Sequence, residues 1–197
     1  MRSVSWPFTC LLLVAASTAL GITAALGWLT PYALIWHADG WRQAPWTLWT
    51  AAFIHLQPAH GLAGALALGA LGVLGMALGA GRRDALALLI AWPLGTLALV
   101  RWPQVAGVYG LSPLIHAAAA VLAVRALGRA DTRWLGLLMA GGLLVKLALE
   151  RGWAVPVAFN AGWGFNVVYA AHLTSAIVAT AAAVLLHTWA WARGHGG

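Results

Sequence analysis

Apolar runs of about twenty residues recur along this chain, separated by short segments that hold most of its charge. Charged residues make up 8% of the sequence and hydrophobic ones 62%, whereas soluble domains carry about 25% charged residues. The solvent for such a chain is lipid, where each span must pair its own backbone polar groups. The expected fold class is an all-α integral membrane bundle of six transmembrane helices, in one domain over residues 1–197. Periodicity and length place the spans near Phe8–Leu29, Trp49–Gly79, Ala85–Val100, Ser112–Leu127, Trp134–Glu150 and Asn166–Ala192. The first run follows Arg2 and has a signal-peptide flavour, but it continues through Leu29, long enough to span.

Orientation follows from Lys and Arg. With the N-terminus inside, Arg2, Arg82, Arg83, Arg125, Arg129, Arg133 and Arg193 are cytoplasmic, and Arg42, Arg101, Lys146 and Arg151 lie outside. Both termini are therefore expected in the cytoplasm, in a bacterial inner membrane. The formal charge of +7 sits in short loops, with no soluble face on which to bind nucleic acid. Cys10 is the single cysteine and rules out a disulfide framework; it reads as lipid-facing or as a packed small hydrophobe. Trp28, Trp49, Trp102, Trp134, Trp163, Trp189 and Trp191 mark span ends as an aromatic belt. Between the first two spans, Thr30–Leu48 with Pro31, Trp41, Pro45 and Trp46 reads as an interfacial external loop.

Under this topology several polar side chains share one depth. His55 and His60 fall in the outer half of the second span, Ser112 and His116 open the fourth, and His172 lies one to two turns into the sixth. Ionisable residues inside a membrane face a bundle interior or a water cavity and mark function. Ser112 follows Gly110 and precedes Pro113, which suits a first helical turn because it needs no amide partner. Ala171, Ser175 and Ala179 recur every four residues, and Ala117–Ala120 lie on the fourth span. Such small residues let two helices approach closely enough for a Ser–His hydrogen bond. Taken singly, Ser112 reads as a helix N-cap and His172 as a satisfied core histidine; their convergence with His60 favours a nucleophile and its base. His116 either lines that site or packs beside it. His37, His187 and His195 receive no role.

Three blocks, in order, resemble the rhomboid family of intramembrane serine proteases, and within it the rhombosortase branch. They are Trp46–Thr50 leading into Phe53–His60, then Gly110-Leu111-Ser112 with His116, and Ala171-His172-Leu173. The resemblance implies Ser112 as nucleophile and His172 as general base, a dyad without a carboxylate. It implies His60 and the Ser112 amide as oxyanion donors, and His55 as a structural residue bonding the external loop. Gly110, Gly64, His116 and His55 are implied to line the site, with no cofactor and no metal. The substrates it implies are membrane-embedded protein segments, notably C-terminal Gly-Gly, apolar helix and basic tail sequences of secreted proteins. Two positions depart from the family pattern: Gly64 stands where an oxyanion Asn is usual, and Pro113 where a Gly follows the nucleophile. Asp39, Asp84 and Asp131 fall in loops, and Glu150 pairs with Lys146 at i, i+4 as a structural ion pair, so no carboxylate is assigned to His172. Two other classes compete: a rhomboid-like pseudoprotease that binds membrane clients, and a metal or haem protein using His55, His60, His116 and His172, whose spacing matches no ligand motif.

Overall fold

The computed structural model describes residues 4–194. Arg2 and His195 lie outside the described residues, as do the side chains of Trp191 and Arg193. Helix α1 covers Ser5–Ala25, and the loop after it holds a 3₁₀ turn, Pro31–Leu34, and strand β1, Trp36–His37. A short helix α2, Thr47–Thr50, runs into a 3₁₀ turn before α3, Pro58–Ala77. Then come α4, Arg82–Leu97, strand β2, Gly107–Val108, α5, Ser112–Leu127, and α6, Arg133–Glu150. A hairpin of β3, Ala158–Asn160, and β4, Phe165–Val167, leads into α7, Tyr169–Gly194.

Four of these helices are long and apolar enough to cross a membrane: α1, α3, α4 with its 3₁₀ extension to Arg101, and α7. Helix α5 is apolar but shorter, and α6 carries Arg133, Lys146 and Glu150. Large apolar side chains such as Leu11, Leu12, Leu62, Leu66, Leu137, Leu138 and Leu185 stand exposed along the helices. Water would not tolerate such continuous faces. The chain is a helical membrane protein.

Several boundaries differ from those expected. The second span starts at Pro58 rather than Trp49, because a residue before proline is driven out of helical geometry, and Gln57 is extended at φ −125° and ψ 123°. His55 therefore precedes α3, and His60 sits in its first turn. Helix α7, expected as the last span from Asn166, starts at Tyr169 instead, since Phe165–Val167 pair with Ala158–Asn160 in antiparallel register. Helix α5 has the bounds expected of the span from Ser112 to Leu127. The loop expected at the interface is partly folded inward: Trp36 and Leu48 bury against Leu99, Val105, Val108 and Ala170, while Tyr32 and Trp46 stay exposed.

Helix α5 is the axis of the bundle and touches α3, α4, α6 and α7. Leu114, Ala117, Ala118, Val121, Leu122 and Ala126 on it are fully or almost fully buried. The small stripe of α7 extends to Ala183 and is buried throughout, which draws α7 against α4 and α5 as expected for small residues in lipid. Thr174 Oγ1 donates to the Gly95 carbonyl at 2.8 Å and fixes the α4–α7 crossing. Cys10 proves to be a packed residue, buried against Gly72 of α3. At the opposite end of the bundle from Ser112, buried Asp84 accepts from the Gly81 amide at 2.8 Å and from His187 Nε2 at 2.9 Å, with Arg125 3.7 Å away. This gives His187 a structural partner that the sequence did not suggest.

Candidate active site

The approach to Ser112 is built from backbone. Gly110 takes φ +98°, a left-handed conformation that a side chain would strain, and a Cβ there would also press on the His60 ring at 3.1 Å. Its amide donates to the Ala51 carbonyl at 2.9 Å, and the Leu111 amide donates to His55 Nε2 at 3.2 Å. The chain then enters α5 at Ser112. The first amides of a helix have no carbonyl ahead of them to bond, so the Ser112 N–H is left for another acceptor. Pro113 follows without an amide and lines a cavity.

Helix α7 brings His172 to this point. The Ser112 hydroxyl donates to His172 Nε2 at 3.0 Å, across 60 residues of sequence. On the far side of the ring, His172 Nδ1–H donates to Glu150 Oε2 at 2.9 Å. The carboxylate accepts only, so it fixes the tautomer that leaves a lone pair on Nε2 for the serine. His116 stacks face to face on His172, with ring centroids 4.0 Å apart and planes 9° from parallel. Its own Nδ1–H donates to the Ser112 carbonyl at 2.7 Å. Tyr169 sets its ring edge against His172 from the preceding turn, 5.9 Å between centroids.

Glu150 corrects the expectation of a pair without a carboxylate. It does form the expected ion pair with Lys146, Nζ to Oε1 at 2.6 Å, but its second oxygen faces His172. The placement is made by the end of α6. Arg151 takes φ 51° and stops the helix, and Gly152 then lies so close to α7 that a Cβ would meet the Tyr169 carbonyl oxygen at 2.5 Å. The last turn of α6 is thereby pressed on the first turn of α7. The available signal in the sequence is depth, since Glu150 and His172 both fall near the outer ends of their expected spans.

A cavity of about 670 Å³ opens onto this group, lined by His60, Gly64, His116, Lys146, Glu150 and His172 among others, with Ser112 in its wall. A second, of about 400 Å³, lies beyond Ser112 and His60 along Tyr109, Pro113 and the β4 strand. His60 thus borders both, packed edge-on against Trp163 and Phe165 at 5.1 Å each. Gly64 faces Leu111, and a Cβ on it would sit 3.3 Å from Leu111 Cβ. No polar group reaches the serine from that position.

His55 is a second correction. It bonds the backbone just before Ser112 rather than the external loop, and since Nε2 accepts there, Nδ1–H donates to Ser17 Oγ of α1 at 3.4 Å. Burial, with repulsion from His60 added and a backbone bond at Phe53 opposing, lowers its pKa from 6.5 to about 4. The unfolded chain therefore takes up this proton first as pH falls, and folded stability is lost from about pH 6.5 down through about pH 4. Thermal unfolding in detergent should show that loss, with a shallower decline in His55→Gln; equal slopes would refute the assignment. His55→Leu leaves the Leu111 amide unpaired and should cost about 1–3 kcal/mol at neutral pH.

The sequence matches no protein-family model and no curated protein. The functional reading therefore stands on the geometry of these side chains.

Proposed function

We propose that this chain is an intramembrane serine endopeptidase of the rhomboid kind, most like the rhombosortases, with Ser112 as nucleophile and His172 as general base. The observation that carries the reading is the continuous line from Ser112 Oγ to His172 Nε2 to Glu150, 3.0 and 2.9 Å. A nucleophile, a base within hydrogen-bond reach and a third group orienting the base are what acyl transfer to serine needs. As Ser112 Oγ attacks a peptide carbonyl, its proton passes to His172 Nε2, and Glu150 steadies the imidazolium. The carbonyl oxygen becomes an oxyanion in the space bounded by the Ser112 amide and the His60 ring. Collapse expels the amine, which takes the proton from His172. Water entering by the 670 Å³ cavity then gives a proton to the same nitrogen as its oxygen bonds the acyl carbon. The ester bond to Ser112 Oγ breaks, His172 returns the proton to Oγ, and the acid leaves.

On this reading α5 and α6 join the four long helices as spans, giving six, with both termini cytoplasmic in a bacterial inner membrane. Helix α5 at roughly 24 Å is shorter than a hydrocarbon core of ~30 Å, which sets Ser112 below the outer surface. Substrates are membrane-embedded segments of secreted proteins, including C-terminal Gly-Gly, apolar helix and basic tail sequences. A fluorophosphonate probe tests the chemistry: it should label wild-type protein at Ser112 and leave His172→Ala unlabelled. Labelling that is absent from the wild type, or indifferent to His172, refutes the enzyme.

One observation favours a second reading, a pseudoprotease that holds membrane clients. Position 64 supplies no donor to the oxyanion space, and a missing donor of this type is worth about 2.7–4 kcal/mol in the transition state. Client capture by a wild-type protein that does not react with the probe would support it.

A further inference from the structure

His116 holds an atom that the proposed reaction leaves unused. Its ring is 5% exposed, Nδ1–H is committed to the Ser112 carbonyl, and Nε2 is buried without a partner. With the proton on Nδ1, Nε2 presents a lone pair and nothing donates to it. An unpaired buried acceptor of this kind is disfavoured unless something binds it. Two further donors belong to the same cluster as His116. One ligand atom each from His116, Glu150 and His172 lies within 4.8 Å of the others.

We propose that His116, Glu150 and His172 form a binding site for a divalent transition-metal ion of the zinc class, and that this ion and the working Ser112–His172–Glu150 line exclude each other. Two neutral imidazoles and a carboxylate are a donor set that zinc takes, with a fourth position for water or a hydroxyl. Zinc bonds of about 2.0–2.1 Å in a tetrahedron bring ligand atoms to roughly 3.4 Å apart, so each donor moves inward by less than about 1 Å. The imidazole lone pairs lie in ring planes that are now 9° from parallel, so one ring turns out of the stack to meet the ion. The ion enters by the cavity that all three residues line. It meets one opposing charge there, the Lys146 ammonium on Glu150 Oε1 at 2.6 Å.

Exclusion follows from His172 having two nitrogens and two partners. If the metal takes Nε2, the Ser112 hydroxyl loses its acceptor. If it takes Nδ1, the Glu150 bond and the tautomer that depends on it are lost. Either way the serine is no longer activated, and chelation restores it. Metal binding needs no catalysis, whereas exclusion rests on the protease reading.

The test separates the two. Ser112→Ala protein in detergent keeps all three ligands, and equilibrium dialysis against Zn²⁺ should give one bound equivalent that is absent from Ser112→Ala/His116→Gln and from Ser112→Ala/Glu150→Gln. No such equivalent in Ser112→Ala, or one that survives both substitutions, overturns the site. In wild-type protein, free zinc at about nine times its Kd should slow fluorophosphonate labelling about tenfold, and EDTA should restore it. Labelling at an unchanged rate with the equivalent bound overturns the exclusion. Wild-type protein that never labels even after EDTA has stripped it of metal, while Ser112→Ala still takes up the zinc equivalent, overturns the protease reading and leaves the metal site standing.

Discussion

Ser112→Ala is expected to reduce cleavage of a co-expressed secreted substrate with a Gly-Gly, apolar helix and basic tail to background, a loss on the order of 10⁶-fold by analogy with other serine nucleophiles. Mass analysis of the released product measures it. His172→Ala should lose a similar amount, and the double variant should be no worse, because residues that act as one unit are not additive. The stability of Ser112→Ala separates this from the bland alternative. A capping serine replaced by alanine costs about 0.5–2 kcal/mol. Here Leu111, not Ser112, holds the N-cap position, and the Ser112 hydroxyl goes to His172. The variant should therefore fold with an unfolding midpoint close to wild type while losing all activity. A Ser112→Ala protein that still cuts the substrate would end the protease reading.

What the sequence revealed about the site depended on whether local or distant forces placed each residue. Helix α5 begins at Ser112 because Gly110 turns the chain and Pro113 suits a first turn, and both signals are local. The small stripe on α7 is also local, and it delivers His172 to the serine. The start of α3 was legible too: Pro58 forces Gln57 to be extended, yet the apolar run beginning at Trp49 masked it. Rotation about a helix axis is a different matter. Whether Glu150 turns toward Lys146 alone or toward His172 as well is decided by the left-handed Arg151 and the tight Gly152–Tyr169 approach, neither of which a 3.6-residue period encodes. His187 meeting Asp84 across 103 residues is likewise fixed by the packing of α4 on α7. Of the tryptophans read as an aromatic belt, Trp28, Trp134 and Trp189 are exposed, Trp49 lies ahead of α3 rather than at its start, and nothing in the sequence placed Trp163 on His60.

Glu150→Gln is the second large effect expected, and it bears on a positioning residue, since Glu150 touches His172 and not the reacting serine. Its counterpart in an Asp-supported triad is worth about 10⁴ in kcat when changed to the amide, because the amide stabilises the wrong tautomer. In this chain the amide can donate to Nδ1, which sends the proton to Nε2, where it blocks the Ser112 hydroxyl. The loss should therefore fall on kcat, on the order of 10³–10⁴-fold, with KM little changed and Glu150→Asp recovering part of it. A purely structural ion pair predicts something else. Lys146 is half exposed, and an exposed i, i+4 pair contributes about 0.3–0.5 kcal/mol, so on that view Lys146→Met and Glu150→Gln should have the same small effect on stability and none on kcat. Glu150 is moreover the last residue of α6, where a negative charge faces the negative end of the helix dipole. Removing that charge should not destabilise the helix, so a collapse in kcat at unchanged stability traces to His172. Equal kcat in wild type and Glu150→Gln would return the site to an unsupported Ser–His pair.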